Sequence, residues 1–119
     1  MRRVLVESPF TGDVERNIRY LTECMRDCIS RNEAPFASHM MYTQVLDDDI
    51  PSERLLGIRA GFAWGAAADA TVVYNDLGMT QGMKRGVENA EISDRPVEYR
   101  SLPGWAAIQE GLPKSARSG

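Results

Sequence analysis

The chain has 119 residues, a formal charge of −3, 43% hydrophobic residues and 26% charged residues. This length and composition predict one globular domain and argue against a disordered chain. The acidic balance argues against a nucleic-acid binder, which needs clustered Lys and Arg. No apolar run approaches the roughly 20 residues that span a bilayer. We therefore expect a cytoplasmic protein with neither nucleic acid nor membrane as a partner.

The first third of the chain predicts a strand, a loop and a helix. Residues 3–7 form a short β-branched run typical of a buried strand, and residues 8–13 form a loop containing Pro and Gly. Asp13 is a suitable N-cap for an amphipathic helix that begins at Val14. Its apolar stripe consists of Val14, Ile18, Leu21, Met25 and Cys28. Cys24 and Cys28 are too few to form a structural zinc site, so we expect reduced core thiols.

The middle of the chain predicts a second strand at 34–38, a long loop at 40–50 and a helix at about 51–68. The expected core stripe of that helix is Leu55, Ile58, Phe62 and Ala66. Beside it lies a second stripe, Gly57, Gly61 and Gly65. Each helical glycine costs about 1 kcal/mol relative to alanine, so this stripe indicates close backbone approach. It favours a homo-oligomer interface over tight packing within the monomer.

The last part predicts a buried strand at 70–74, a helix at about 81–92 and a strand at 96–100. The inner stripe of the helix is Met83, Val87 and Ala90. Alternating strands and helices predict a small doubly wound α/β domain over residues 1–102, with helices on both faces of a mostly parallel sheet of four to five strands. Residues 103–119 are expected to form a partly disordered tail with one turn near Trp105.

Ligands of such sheets bind outside the carboxyl ends of the strands. The expected binding residues, which follow the strands in the sequence, are Ser8, Pro9, Phe10, Thr11, Gly12, His39, Tyr42, Asn75, Gly78, Gly82 and Arg100. Small hydroxyls, glycines and an aromatic ring suit a polar, partly aromatic small molecule. Phosphate-binding and dinucleotide motifs are missing, and we expect no cofactor and no metal.

Two segments resemble the nucleoside 2-deoxyribosyltransferase superfamily. The string Glu-Ser-Pro-Phe-Thr-Gly-Asp at 7–13, with Asn17 one turn later, resembles its first strand, loop and helix. Residues 68–76, followed by 78–90, resemble its third strand and the glycine-containing loop that opens the next helix. The resemblance covers residues 3 to about 101 and is greatest to short phage and bacterial members. It implies a flavodoxin-like three-layer sandwich.

The resemblance also implies a chemistry. Active members cleave the N-glycosidic bond of a deoxynucleoside or its monophosphate, with a Glu near the start of the helix after strand three as the nucleophile. Here the corresponding positions are Gly82 or Gly86, and the only nearby helical carboxylate is Glu88. Either the chemistry is lost, or another carboxylate replaces it. The candidate catalytic residues are therefore Asp76, Glu7 and Glu88.

Three functions follow from these observations. The favoured one is a protein that binds a nucleoside, a nucleotide or a nucleotide-derived signal, one form of which is a phage sponge for a signalling nucleotide. The second is a deoxyribosyltransferase or N-glycosidase with a relocated carboxylate, and the third is a structural subunit. Glu7, at the end of a buried strand, should either pair with Arg3 or Arg100 or have a raised pKa.

Overall fold

The computed structural model describes residues 1–102, 104 and 105. Within this part the chain alternates four strands with three long helices. They are β1 (Arg2–Glu7), α1 (Val14–Ser30), β2 (Glu33–Phe36), α2 (Pro51–Gly65), β3 (Ala70–Tyr74), α3 (Gln81–Ile92) and β4 (Val97–Arg100). Two short 3-10 turns, Ser38–Met40 and Tyr42–Gln44, lie in the loop before α2. The predicted tail lies outside the described residues except for Gly104 and Trp105.

The four strands form one parallel sheet in the order β2-β1-β3-β4. This confirms the predicted α/β architecture. The chain leaves β1 towards β2 on one side and then crosses to β3 on the other side. Helices that follow β1 and β3 therefore diverge, and a crevice opens where the carboxyl ends of these two central strands meet.

One face of the sheet is closed by α1. Val4, Val6 and Val72 point to this face and pack against a helix side that buries Tyr20, Leu21, Cys24 and Cys28. Asp13 caps α1 as predicted, because its carboxylate accepts a hydrogen bond from the Arg16 backbone N–H at 3.1 Å. Both cysteines are buried free thiols, also as predicted. Val14, however, is exposed at the start of the helix.

The other face is covered by α2 and α3. Met83 and Val87 of α3 pack against Val73 of β3, as the predicted stripe requires. Here α2 departs from its prediction, because Leu55 is 55% exposed while Gly61 and Gly65 are buried. Of the predicted bulky stripe, Leu55 and Ala66 are exposed, and only Ile58 and Phe62 are half-buried.

The glycine stripe of α2 packs against other parts of the same chain, which gives it a role within the monomer, and the oligomer interface stays a prediction. A Cβ at Gly61 would lie 3.2 Å from the Ser38 Cβ, and one at Gly65 would lie 3.3 Å from a Leu5 methyl group. These glycines allow the helix backbone to approach the 3-10 turn and the sheet closely. The helix ends at Gly65, three residues earlier than predicted. Among the described residues, no helix is both long and apolar enough to cross a membrane.

Candidate functional site

A cavity of about 80 Å³ lies at the carboxyl end of β1, between α2 and α3. Glu7 lies at the end of β1, and Phe10 and Thr11 follow it in the next loop. Further polar groups come from His39 in the first 3-10 turn, Thr80 before α3, and the arginines Arg54 and Arg85. Ile58 and Phe62 of α2 supply an apolar wall. The structure thus places a mixed polar and aromatic cavity at the predicted edge of the sheet.

Glu7 is the central polar group of this cavity. Among the described residues, no hydrogen bond or ion pair reaches its carboxyl group. Arg3 and Arg100, its expected partners, pair instead with Asp69 and Glu33. Burial raises the pKa of Glu7 to about 8, although the positive charge of Arg95 opposes this shift. At neutral pH the side chain is therefore mostly a neutral carboxylic acid.

The space for the Glu7 carboxyl group is provided by Gly86 of α3. A Cβ atom at Gly86 would overlap the carboxyl group, so an alanine there could not coexist with the present position of Glu7. Gly86 is also one of the two positions at which the resemblance leads one to expect a catalytic Glu. At Gly86, therefore, α3 has no side chain, and the carboxyl group of Glu7 from β1 fills that space.

Arg95 is the positive charge that lowers the pKa of Glu7, yet its guanidinium donates hydrogen bonds to other groups. It donates to the Thr71 hydroxyl at 2.9 Å, the Gly65 carbonyl at 2.8 Å and the Asn89 side-chain oxygen at 3.0 Å. These bonds fix the guanidinium of Arg95, and none of them involves Glu7. An unpaired carboxyl group in a cleft is a common feature of functional sites.

His39 forms the opposite wall. Its ring centroid lies 4.8 Å from that of Phe10. Burial lowers the pKa of His39, and the nearby charge of Arg54 acts in the same direction, while Asp48 opposes it. The imidazole is therefore neutral at pH 7 and offers one hydrogen-bond donor and one acceptor.

The start of α3 closes the cavity on the third side. Thr80 caps the helix, and its hydroxyl accepts a hydrogen bond from the Met83 N–H at 3.2 Å. Gly82 follows in the first turn and lines the cavity. Because the first backbone N–H groups of a helix lack partners within the helix, this end is favourable for electronegative atoms of a ligand.

The structure brings together five of the predicted site residues, namely Glu7, Phe10, Thr11, His39 and Gly82. Tyr42 lines a smaller cleft that shares His39 with the main cavity. Gly12 lies beside Phe10 and Thr11 in a groove outside it, with a φ of 101° that favours glycine.

The first part of the loop after β3, residues 75–78, does not line this cavity. The Asp76 carboxylate accepts hydrogen bonds from the Tyr20 hydroxyl at 2.6 Å and the Leu102 N–H at 2.9 Å. It therefore anchors the segment after β4 to α1, on the other face of the sheet. Asn75 and Gly78 belong to the same exposed turn, joined by a 3.0 Å backbone hydrogen bond. The prediction that Asp76, Asn75 and Gly78 line one site with Glu7 is wrong on this placement.

Arg100 also lies away from the cavity. It is buried on the α1 side, where its two terminal nitrogens donate to the two oxygens of Glu33, both at 2.7 Å. These hydrogen bonds lower the pKa of Glu33. Arg100 is thus a structural residue and not the ligand-binding one that was predicted.

Three further candidates stand outside the cavity lining. Glu88 is exposed on α3, so it is not a replacement nucleophile in this geometry. Ser8 and Pro9 are buried just beyond β1, where alternation along the strand directs Ser8 to the α1 face with Val4 and Val6.

Sequence reasoning missed Arg54, Arg85, Asp48 and Gly86 as site residues. Arg85 directly precedes Gly86 on α3, and the two arginines flank the cavity. Helical spacing could have identified Arg54, because it lies four residues before the cavity-lining Ile58 on the same helix. In the described part of the chain, no cluster of three or more His, Cys, Asp or Glu side chains could hold a metal ion.

The arrangement defines an α/β sandwich with a small cavity at its topological switch point. The same fold occurs in a 2-deoxyribosyltransferase from the psychrotolerant bacterium Bacillus psychrosaccharolyticus, with a TM-score of 0.68. The match covers 97% of this chain and 95% of that chain at 13% sequence identity, so the likeness is one of fold.

The sequence itself matches a family model over residues 2–100. The chain belongs to the DUF7768 family, which is described as a domain of unknown function. A comparison with curated proteins gave no significant match.

Proposed function

We propose that the protein binds a nucleoside or nucleotide in the cavity between α2 and α3. The observation that carries this proposal is the Glu7 carboxyl group, which has no partner among the described residues and lines the same cavity as His39 and Phe10. A protonated carboxyl group and a neutral imidazole each present a donor and an acceptor, which is what the edge of a nucleobase requires. The aromatic ring of Phe10 offers a surface for stacking.

The fold likeness supports the same class of ligand, because the 2-deoxyribosyltransferase of matching fold is described as a biocatalyst for nucleoside synthesis. The Glu7 carboxyl group also occupies the space beside Gly86, so the cavity contains a carboxyl group although α3 supplies none there. Storage of a signalling nucleotide is one form of such binding, and tight retention without turnover would support it.

A single assay tests the proposal. The purified protein is incubated with a mixed panel of nucleosides, deoxynucleotides and cyclic nucleotides, and mass spectrometry measures both retained ligand and released free base. We expect retained ligand that is lost in Glu7→Ala but kept in the matched control Glu88→Ala. If the assay detects neither retained ligand nor released free base, the proposal is contradicted and the structural subunit is favoured.

The position of Glu7 favours a second candidate, hydrolysis of an N-glycosidic bond. In this reaction the Glu7 carboxylic acid donates its proton to the departing base nitrogen as the bond from C1′ to that nitrogen breaks. A water oxygen bonds to C1′, and one of its protons returns to the Glu7 carboxylate. General acid catalysis of this kind needs a carboxyl group whose pKa lies near the working pH, as it does here at about 8.

The pH profile separates this reaction from nucleophilic attack by Glu7. If Glu7 acts as the acid, release of free base falls as the pH rises through about 8. If it acts as the nucleophile, release increases over the same range, because the ionised form is then required. Release that is unchanged in Glu7→Gln would exclude both roles.

A further inference from the structure

A groove lies outside the mouth of the cavity and runs along α2. It shares Arg54, Arg85, Ile58 and Phe62 with the cavity, so the two spaces are continuous. Arg59 lines the groove only. The cavity alone is well below the ~300–1,000 Å³ of typical small-molecule sites. A ligand of nucleoside size would therefore extend into the groove, which measures about 670 Å³.

Three arginines, Arg54, Arg59 and Arg85, converge on this groove from two different helices. None of them forms an ion pair within 4 Å with a described carboxylate. Among the described residues, the acidic side chains in the groove are those of Asp48 and Asp49. The excess of charge is therefore positive, on a chain whose overall charge is negative.

Several other accessible arginines of the chain do have carboxylate partners. Arg2, Arg3, Arg19 and Arg31 are exposed or half-exposed, yet each lies within 4 Å of a carboxylate. Placing three guanidinium groups together without such partners is electrostatically unfavourable, since like charges repel. An anionic ligand removes this repulsion, and the guanidinium fork matches the oxygens of a phosphate group.

We propose that Arg54, Arg59 and Arg85 form a phosphate subsite, so that the ligand is a phosphorylated nucleoside whose base and sugar occupy the cavity. This inference rests on the proposed function for the base and sugar, but its arginines are independent of Glu7. Arg59 lies beyond the mouth, so it acts on the phosphate-bearing part of the ligand alone. Arg54 and Arg85 border both spaces.

Isothermal titration calorimetry tests this subsite with the four 2′-deoxynucleosides and their 5′-mono- and 5′-diphosphates. Ribose 5-phosphate and pyrophosphate serve as base-free probes. We expect the phosphorylated forms to bind at least about tenfold more tightly than the matching nucleosides, and increasing salt to weaken only the phosphorylated forms. Arg59→Gln removes this preference and leaves nucleoside affinity unchanged, whereas Arg59→Lys retains part of it. Arg19→Gln, an exposed arginine on α1, is the matched control.

The outcomes separate the two proposals. Equal affinity for nucleosides and nucleotides overturns the phosphate subsite and leaves nucleoside binding standing. Binding of the base-free phosphates that is lost in Arg59→Gln, without any nucleoside binding, supports the subsite and overturns the proposed base. A preference for phosphate that persists in Arg59→Gln and in Arg85→Gln overturns the subsite, even if nucleotides bind.

Discussion

Two carboxyl groups on opposite faces of the sheet differ in their partners. On the α1 face, Arg100 and Glu33 form a two-point ion pair, and the Tyr74 hydroxyl donates to Asp27 at 2.6 Å. On the other face, Glu7 lies unpaired against the space left by Gly86. The carboxyl pKa is lowered at Glu33 by its hydrogen bonds and raised at Glu7 by burial.

This difference indicates that the α1 face is structural and that the face with Glu7 is functional. Paired groups such as Arg100 and Glu33 help to specify the packing on the α1 face. Glu7 lacks a partner among the described residues, and its burial reduces the stability of the fold at pH values where the carboxyl group ionises. Such a cost is typical of residues that act on a ligand. The predictions below test whether the two faces are structural and functional in this sense.

The largest expected effect is on the α1 face. Arg100→Met removes one member of a pair whose side chains are both only 6% exposed, and it leaves the Glu33 carboxylate buried without its main partner. We expect the free energy of unfolding to fall by about 3–5 kcal/mol, measured by urea denaturation. Arg19→Ala breaks an exposed pair with Glu15 and should cost about 0.5 kcal/mol or less. Equal effects of the two substitutions would contradict the structural role of the α1 face.

The second effect concerns the pH dependence of stability. Because the folded protein holds the Glu7 proton up to a pKa of about 8 and the unfolded chain loses it near 4.5, the folded state binds more protons between these values. This contribution to stability is complete below pH 4.5 and is lost as the pH rises towards 8. Glu7→Gln should remove this decline, so that the variant gains stability relative to the wild type with increasing pH.

Urea denaturation of both proteins between pH 4 and pH 9 measures the effect. The difference between the two curves cancels the contributions of other groups, including His39 and Glu33. Parallel curves would show that Glu7 titrates normally and is not enclosed as described.

The third effect is that of filling the space beside Glu7. In Gly86→Ala the new methyl group must displace the Glu7 carboxyl group, and we expect a loss of about 1–3 kcal/mol in the free energy of unfolding. Gly82→Ala is the matched control in the same helix, since its Cβ would meet only the Thr80 hydroxyl at 3.9 Å. That control should be neutral or stabilising, because alanine is the better helix former. Similar losses in both variants would argue against the contact with Glu7.

The sequence supported the architecture and the position of the site. Val72 and Val73 lie in a β-branched run that does not alternate with charged residues, which is typical of a strand buried on both sides. The alternation of such strands with helices indicated a parallel sheet. The rule that ligands bind at strand ends then led to Glu7, Phe10 and His39, since each follows or ends a strand.

For residues in the loops and in α2, the sequence could not show which face of the sheet each side chain packs against. Asp76 lies two residues after β3, and its partner Tyr20 lies 56 residues away in the sequence. Likewise, α2 carries both a glycine stripe and a bulky stripe, and only the positions of Ser38 and Leu5 decide that the glycines face inwards. The fit between Glu7 and Gly86 joins two elements distant in the sequence and has no local signal.

The most direct test of the functional face is an NMR titration of the isotopically labelled 13.3 kDa protein with the phosphorylated nucleoside that binds best. We predict chemical-shift changes centred on Glu7, His39, Gly82 and Arg85, with little change at Tyr20, Asp76 and Arg100. Changes centred on Asp76 and Arg100, or no change at all with the nucleoside and nucleotide panel, would contradict the assignment of ligand binding to the cavity between α2 and α3.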